Sequence, residues 1–195
     1  LKRNKWQVSS YMGKNGTEES FLNMHGKSPK LLHLATHGFY YTPNRAENVD
    51  YLKGYTDAMS LSGLVLSGGN AAWLGKPLPK GVLGGILSAN DIARLDLSNT
   101  DMVVLSACQT GQGKATSEGL YGLQRAFKKA GVETIVMSLW SVSDKTTSEF
   151  MTTFYERLAD KKNAWNKRKA FEEAKEIIRK KHPDPFHWAA FVMLD

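Results

Sequence analysis

The sequence predicts an α/β protein in which a mainly parallel central sheet is covered by helices on both faces. Two runs, 101–107 and 134–139, are rich in β-branched residues and largely apolar, which is typical of strands that are buried on both sides. Segments with helical spacing and capping residues alternate with these strands, and that alternation favours parallel strands joined by helices. A length of 195 residues with 42% hydrophobic residues suits one globular domain of ordinary size.

The amino-terminal 30 residues show weak periodicity, and within them the segment 18–24 is the candidate helix. We expect residues 1–30 to be a lead-in, the end of a preceding region, and residues 31–195 to form the main domain. The chain opens on Leu1 with neither a starting methionine nor an apolar signal core, which indicates a piece of a longer protein that is not secreted. Cys108 is the single cysteine, so no intrachain disulfide can form, and a reducing, cytoplasmic location is expected.

Two further strands are predicted in the first half of the chain. The apolar run 31–36 indicates a buried strand that stops at a tight turn at His37 and Gly38, and 64–66 is a second short run. The surrounding stretch 41–79 carries several glycines and prolines among scattered apolar residues, so we interpret it as a long loop region. A loop of this length directly after His37 favours a functional role.

Capping patterns predict where the helices begin. Ser88 with Asp91 three residues later resembles a capping box, which indicates a short helix. The longer helices are predicted to begin at Ser117, at Ser143 or Asp144, and at Asn163. Gly131 stands where a left-handed residue would end the helix that begins at Ser117. After two prolines stop the last helix, 186–194 is predicted to be a terminal strand.

The net charge of +7 raises the question of nucleic acid binding, since a basic stripe is the usual electrostatic footprint of such a protein. The bases concentrate in 157–181, where they are interleaved with Glu172, Glu173 and Glu176. Apolar residues recur there at three- and four-residue spacing, which indicates a helix with one packed and one solvated face. We therefore favour a mixed-charge helix surface over a nucleic acid interface. No apolar run approaches the roughly 20 residues that cross a bilayer, so no membrane span is expected.

Two strand ends carry residue types that suit covalent catalysis. His37 and Cys108 each follow a predicted parallel strand, and groups at the carboxyl ends of such strands converge on one crevice. A thiol nucleophile needs an imidazole to take and return its proton, so this pair is the minimum set for acyl transfer. Gly38 allows close approach by a substrate and suits an amide that points at a developing oxyanion. The alternative is that Cys108 is a small buried residue and that the backbone satisfies the histidine.

Five motifs follow one another along the chain. They are Leu32-His33-Leu34-Ala35-Thr36-His37-Gly38, Leu105-Ser106-Ala107-Cys108-Gln109-Thr110-Gly111, Glu118-Gly119-Leu120-Tyr121-Gly122-Leu123, Leu139-Trp140-Ser141-Val142-Ser143-Asp144 and Trp188-Ala189-Ala190-Phe191. Together they resemble the CHAT domain, a family that belongs with the caspase, separase, gingipain and clostripain peptidases. The resemblance runs from about residue 31 to residue 194.

The resemblance implies a caspase-like α/β/α sandwich with a mainly parallel central sheet and a catalytic dyad. By that match His37 would transfer the proton and Cys108 would be the nucleophile. The backbone amides of Gly38 and Cys108 would be the oxyanion donors. Neither a metal nor a cofactor is implied. The third, orienting partner of the dyad is often a backbone carbonyl in relatives, which a sequence does not display.

Substrate preference follows from the same resemblance. Separases and clostripain-like relatives cut after basic residues, and in separases the motif that matches 140–144 supplies an acidic residue to the pocket, so Asp144 is the candidate here. A carboxylate in a pocket can pair with arginine in a bidentate way. Asp144 is equally well placed as a helix N-cap, and we weigh the two roles evenly. Glu118 is a second acid near the site, and interaction with the helix dipole is its alternative role.

These observations lead to a cysteine endopeptidase domain that cleaves a protein or peptide partner, with a basic residue before the cut as the candidate specificity. The alternative is a catalytically dormant CHAT module that uses the same cleft for interaction or signalling. The family habit of attaching this domain to sensor or tetratricopeptide repeat regions implies such a region in the full-length protein. Neither a membrane nor nucleic acid is expected as a partner.

Overall fold

The structure, a computed structural model, describes residues 6–46, 49, 52–78, 83–106 and 117–195. The strands in these ranges are β1 (Leu31–Leu34), β2 (His37–Tyr40), β3 (Ser62–Val65), β4 (Ile86–Ser88), β5 (Met102–Leu105), β6 (Thr134–Ser138) and β7 (Phe191–Leu194). The helices are α1 (Glu18–Leu22), α2 (Pro43–Ala46), α3 (Gly69–Trp73), α4 (Ala89–Ile92), α5 (Ser117–Lys129), α6 (Asp144–Ala159), α7 (Lys167–Lys181) and α8 (Pro185–Trp188).

The larger sheet has the strand order β1-β5-β6-β7, is mostly parallel and is flanked by helices, which confirms the predicted α/β class. Strands β1 and β5 pair in parallel from Leu31 opposite Met102 to Leu34 opposite Leu105. All four residues of β5 are buried, as a strand covered on both faces requires. The continuous apolar run of the sequence therefore corresponds to a central strand.

The predicted tight turn at His37 and Gly38 is wrong. Strand β1 ends at Leu34, and His37 begins β2, which pairs antiparallel with β3; β3 in turn pairs antiparallel with β4. The Thr36 hydroxyl donates a hydrogen bond to the carbonyl of Val65 beside this ladder. The chain thus passes from the larger sheet into a second sheet of order β2-β3-β4 within two residues.

The stretch 41–79 is also not one long loop, because it contains α2, β3 and α3. Its apolar residues are not scattered in space. Ala46, Leu52 and Leu61 of this stretch form a buried cluster with Phe39 and Ile86. Phe39 and Tyr41 both contact the ring of Trp73, with ring centroids 5.1 and 5.5 Å apart. Burial of this cluster supplies the stability that short strands and helices lack by themselves.

The chain divides into two compact units. In the unit Tyr11–Ile135, helix α1 is bound to the loop before β4, because Glu18 accepts a hydrogen bond from the Gly85 amide at 2.8 Å and Glu19 accepts one from the Leu83 amide at 2.6 Å. Phe21 of α1 contacts Phe127 of α5 edge to face. The predicted helix at 18–24 is therefore present as α1 and is packed into this unit.

The unit that contains Val136–Leu194 has an aromatic core between α6, α7 and β7. Phe150 lies parallel to Phe191 with ring centroids 4.0 Å apart, and Phe171 packs edge to face on both Phe150 and Phe154. Offset and edge-to-face pairs of this kind add to the free energy of burial. Phe150 and Phe154 both lie on the buried face of α6.

Most predicted helix boundaries are confirmed. Ser88 and Asp91 form the capping box of α4, and Gly131 has the expected positive φ, 97°, just beyond α5. Asn163 is not the cap of α7, which is capped by Asn166. Asn163 is instead buried in a short 3-10 turn, where its amide donates to the carbonyl of Arg157 at 2.8 Å.

The carboxyl-terminal prediction is wrong in part. Residues 185–188 form helix α8, and the strand begins only at Phe191. Asp184 accepts a hydrogen bond from the amide of Phe186, and Pro185 takes the first helical position, where its missing N–H costs nothing. Local capping therefore outweighs the apolar run that predicted a strand here.

Helix α7 has the mixed-charge surface that the sequence predicts. Glu176 pairs with Arg179 at 2.8 Å and with Lys180 at 3.5 Å, while Glu173 lies 4.0 Å from Lys169. Ala170, Phe171, Ala174 and Ile178 are buried on the opposite side. No helix in the described ranges combines the length and the apolar composition that crossing a bilayer requires.

Replacing Gly63 by alanine is expected to destabilise the protein by about 1–3 kcal/mol, the usual cost of overpacking. A Cβ there would overlap the carbonyl oxygen of Leu87 and lie 2.8 Å from the ring of Phe39. Gly84→Ala is the matched control, since its Cβ would be 3.8 Å from the nearest atom, on Ala72. Urea denaturation of both variants measures the difference. Equal unfolding free energies would contradict the expected clash.

Acid is expected to weaken the protein through Glu149. Its carboxylate accepts hydrogen bonds from His182 at 2.9 Å and Lys181 at 3.0 Å, and these lower its pKa to about 2. Because the pKa in the folded state lies below the ordinary value of 4.5, this stabilisation is complete above about pH 4.5 and is lost as the pH falls toward 2.

The measurement compares denaturation midpoints between about pH 2 and pH 7 for the parent and Glu149→Gln. The variant should lose part of the parent's acid dependence. Glu172→Gln, at an exposed position of α7, is the control and should keep it. Parallel curves for the parent and Glu149→Gln would show that this carboxylate does not contribute.

Candidate active site

His37 is the first residue of β2, and its backbone position is set by β3. It stands opposite Val65 in the antiparallel ladder, and the hydroxyl of the preceding Thr36 also bonds to Val65. The His37 side chain is exposed, while the next two residues, Gly38 and Phe39, are buried. The histidine is therefore presented to solvent from a backbone that is held on one side by a neighbouring strand.

The Gly38 amide points away from β3. The ladder bond from the Tyr41 amide to the carbonyl of Leu61 assigns the hydrogen-bonded positions of this antiparallel pair to odd-numbered residues of β2. Gly38, opposite Leu64, is therefore at a position whose N–H and C=O turn away from β3, and among the described residues β2 lies at the edge of this sheet. An outward amide next to His37 is suited to binding a negatively charged oxygen.

The chain leaves the paired strands β1 and β5 at the same level. Beyond Leu105, the Ser106 amide donates to the carbonyl of Leu34 at 3.0 Å, so the parallel pairing extends to Ser106. The predicted nucleophile, Cys108, lies outside the described residues, as does the rest of 107–116. The structure therefore describes the strand that precedes Cys108 in the chain. The described part of this segment ends at Ser106.

His33 is a polar residue within the otherwise apolar β1, and it bonds to the residue that follows β5. Its Nε2 lies 2.9 Å from the hydroxyl oxygen of Ser106. Part of the side chain reaches solvent, yet protein atoms around the ring partly remove it from water, and this desolvation lowers its pKa. A lowered pKa favours the neutral form of the ring. A neutral imidazole can serve as either donor or acceptor to a hydroxyl.

A close contact between α5 and β3 ties the helix that follows the Cys108 segment to the sheet that carries His37. A Cβ at Gly122 would overlap the hydroxyl of Ser62 and lie 3.2 Å from its Cβ. Ser62 stands opposite Tyr40 of β2 and donates its hydroxyl to the carbonyl of Ala58 at 2.7 Å. Only glycine allows α5 to approach β3 this closely.

The two acidic candidates lie in the first turns of different helices. Ser143, not Asp144, caps α6: its hydroxyl accepts a hydrogen bond from the Thr146 amide at 3.2 Å. Asp144 occupies the first turn, is exposed and is not needed as the cap. Glu118 lies in the first turn of α5, where only the backbone is described, so its role stays a prediction.

The bond between His33 and Ser106 and the sheet β2-β3-β4 are features that sequence reasoning missed. The period-two alternation of strands would have put His33 and Ser106 on one face once the β1–β5 register was known. That register is not written in the sequence, because apolar runs of equal length can pair at several offsets. The sequence feature that could have pointed to this bond was His33, an isolated histidine within an apolar run.

Comparison with known proteins gives one family and two named relatives. The model of the CHAT domain matches residues 2–195. Tetratricopeptide repeat protein 28 of Mus musculus and that of Homo sapiens are each 32% identical to this chain over 111 residues. The match covers 56% of this chain and 4% of each relative, so the chain corresponds to a small part of those proteins.

The two roles weighed for Asp144 predict different stabilities. Ser143→Ala removes the observed cap of α6 and should cost about 1 kcal/mol of unfolding free energy. Asp144→Asn removes only a favourable interaction with the helix dipole, and a loss of about 0.3–1 kcal/mol is the upper range for such a charge. Urea denaturation at low salt measures both. Because asparagine caps a helix about as well as aspartate, Asp144→Ala, measured in the same way, tests the cap role, and a larger loss for Asp144→Ala than for Ser143→Ala would mean that Asp144 is the structural cap.

Proposed function

Because this chain belongs to the CHAT domain family, we propose that it is a cysteine endopeptidase domain that cleaves a protein partner. Cys108 is the nucleophile in this proposal and His37 is the proton-transfer residue. The family supplies the class of fold and chemistry. The described residues supply the arguments for the individual roles.

The observation that carries the proposal is that β1 and β5 end at the same level of the sheet. Leu34 and Leu105 are paired in register, His37 is the third residue after Leu34, and Cys108 is the third residue after Leu105. Three residues span at most about 11 Å, and neighbouring strands lie about 4.8 Å apart. Both residues therefore start from one edge of one strand pair, and in this proposal they act on a common substrate.

The first chemical step is acylation of the thiol. His37 accepts the proton of Cys108, and the thiolate attacks the carbonyl carbon of the scissile peptide bond. The carbonyl oxygen becomes an oxyanion, for which the outward amide of Gly38 and the amide of Cys108 are the proposed donors. The protonated His37 then gives its proton to the leaving amine, and a thioester remains.

Water completes the cycle. His37 takes a proton from a water molecule, which attacks the thioester carbonyl and forms a second tetrahedral oxyanion at the same donors. Collapse of this intermediate releases the carboxylic acid and returns the thiol. The exposed position of His37 fits this step, because water must reach its imidazole.

Asp144 and Glu118 are the proposed acids for a basic residue before the cut. Ser143 already caps α6, which leaves the exposed carboxylate of Asp144 available for a ligand. Arginine binds a carboxylate through two parallel hydrogen bonds, whereas a neutral side chain would leave that charge unpaired. A preference for arginine over neutral residues follows from this pairing.

The proposal places the domain within a longer protein that carries a tetratricopeptide-like region. The two relatives are named for such repeats, and this chain matches only a small part of each. A repeat region attached to a peptidase domain would bring a protein substrate to the site or control access to it. The division at residue 30, with 31–195 as the peptidase part, belongs to the same proposal.

An arginine-ended peptide acyloxymethyl ketone is expected to form one covalent adduct with the parent protein. The reagent needs a competent thiolate, so Cys108→Ala should give no adduct and His37→Ala a much slower one. Asp144→Asn should react more slowly with the arginine reagent than the parent does. It should match the parent with an alanine-ended reagent. Intact mass measured over time gives each rate.

Loss of the adduct in Cys108→Ala, with the fold retained, supports the peptidase. A folded parent that reacts with none of a panel of basic, acidic and apolar reagents would contradict it and favour the interaction module. Equal rates for Asp144→Asn and the parent with the arginine reagent would remove Asp144 from the site but leave the dyad in place.

A further inference from the structure

We infer that His33 is a positioning residue for the nucleophile, acting through its hydrogen bond to Ser106. The inference rests on the proposed cysteine peptidase function. Strand β1 then has two roles in one reaction. His37 follows it in the chain, and the strand itself bonds to Ser106, two residues before Cys108. His33 would touch neither the substrate nor the reacting sulfur.

Two bonds from β1 hold Ser106. The carbonyl of Leu34 accepts its amide at 3.0 Å, and Nε2 of His33 lies 2.9 Å from its hydroxyl. The first bond fixes the backbone and the second fixes the side chain. With both ends of the residue tied to the same strand, Ser106 has little freedom to rotate about the strand axis. The orientation of Ser106 itself is therefore defined by β1.

Cys108 is only two residues further along. Two residues span at most about 7 Å, so an error in direction at Ser106 passes almost undiminished to the sulfur-bearing residue. Displacement of a reacting group by about 1 Å can reduce the rate by about a hundredfold. Loss of a bond that fixes Ser106 should therefore affect the reaction rate more than the stability of the fold.

The composition of the strands favours this role over a purely structural one. The other residues of β1 and all residues of β5 are apolar, and parallel pairs of this kind are normally stabilised by burial alone. A hydrogen bond at a position that water reaches adds little stability, because water can replace either partner. His33 is therefore a poor choice for stability, and its bond to the residue two before Cys108 gives it a functional reason.

The test measures the reactivity of Cys108 without any peptide substrate. Cys108 is the single cysteine, so one carbamidomethyl mass increment from iodoacetamide reports on this thiol alone. The rate as a function of pH follows the thiolate, and the inflection gives the pKa of the thiol. The proteins are the parent, His37→Ala, His33→Leu, His33→Gln and Ser106→Ala. His25→Leu is the matched control, since it removes a histidine that bonds to Asp96, before the amino end of β5.

In the parent the inflection should lie below the ordinary range of a thiol, and His37→Ala should return it to that range. His33→Leu and Ser106→Ala should each move it toward the ordinary range and slow the reaction at neutral pH roughly tenfold, since misplacement weakens the pair with His37. His33→Gln should restore most of the rate because its amide can replace Nε2. The double variant His33→Leu with Ser106→Ala should be no slower than either single one. His25→Leu should match the parent.

Stability separates positioning from folding, so thermal unfolding is recorded for every variant. A lower midpoint with an unchanged pH profile of the folded protein would overturn the inference, because it is the signature of a purely structural bond. If His33→Leu does not fold, Ser106→Ala decides alone, since it removes the same bond by deleting one atom. A parent profile that does not respond to His37→Ala would overturn the proposed function and this inference together. A response to His37→Ala without one to Ser106→Ala overturns the inference only.

Discussion

The parallel pairing of β1 with β5 is the constraint on which the candidate site depends. Every residue of β5 is buried, so a slip of one residue would exchange the two faces of the strand and disrupt packing on both. The register that results sets Leu34 beside Leu105, so that β1 and β5 end at one level of the sheet. Polar contacts support the other end of the pair, where Lys30 and Asp101 are 3.3 Å apart. Apolar burial thus decides the alignment, and the chemistry of the strand ends follows from it.

The second sheet defines the backbone orientation of His37, because this residue begins a strand that is paired with β3. Because β2 is antiparallel to β3, its backbone donors alternate, and the Gly38 amide faces outward while its neighbours are bonded to β3. Two close approaches keep this sheet in place. Gly63 lets the ring of Phe39 and the backbone of Leu87 meet, and Gly122 lets α5 lie against Ser62. Gly63, which the sequence placed in a loop region, and Gly122 in helix α5 are therefore positions where a larger side chain would not fit without movement of its neighbours.

Several charged side chains in the described part of the chain are engaged in hydrogen bonds or ion pairs, which limits what the net charge can mean. Glu18 and Glu19 accept hydrogen bonds from backbone amides, and Glu173 and Glu176 of α7 pair with bases one turn away. The serine ahead of α6 caps the helix and leaves Asp144 exposed. Against this background a histidine in the middle of an apolar strand is unusual. The hydrogen bond to Ser106 explains the presence of His33 better than its place in the strand does.

The sequence by itself determined the α/β class, strands β5 and β6, helices α4 to α7 and the family, because these depend on local periodicity, caps and motifs. It placed His37 and Cys108 after strands for the same reason. Only the tertiary structure decided that His37 opens an antiparallel strand, that 41–79 folds around Phe39, and that His33 meets Ser106. Each of these depends on which strands become neighbours and in which register, and pairing energies between distant segments leave no local pattern in the sequence. Asn163 and 186–188 show the reverse case, in which a nearby polar group, at Asn166 and Asp184, determined where a helix begins.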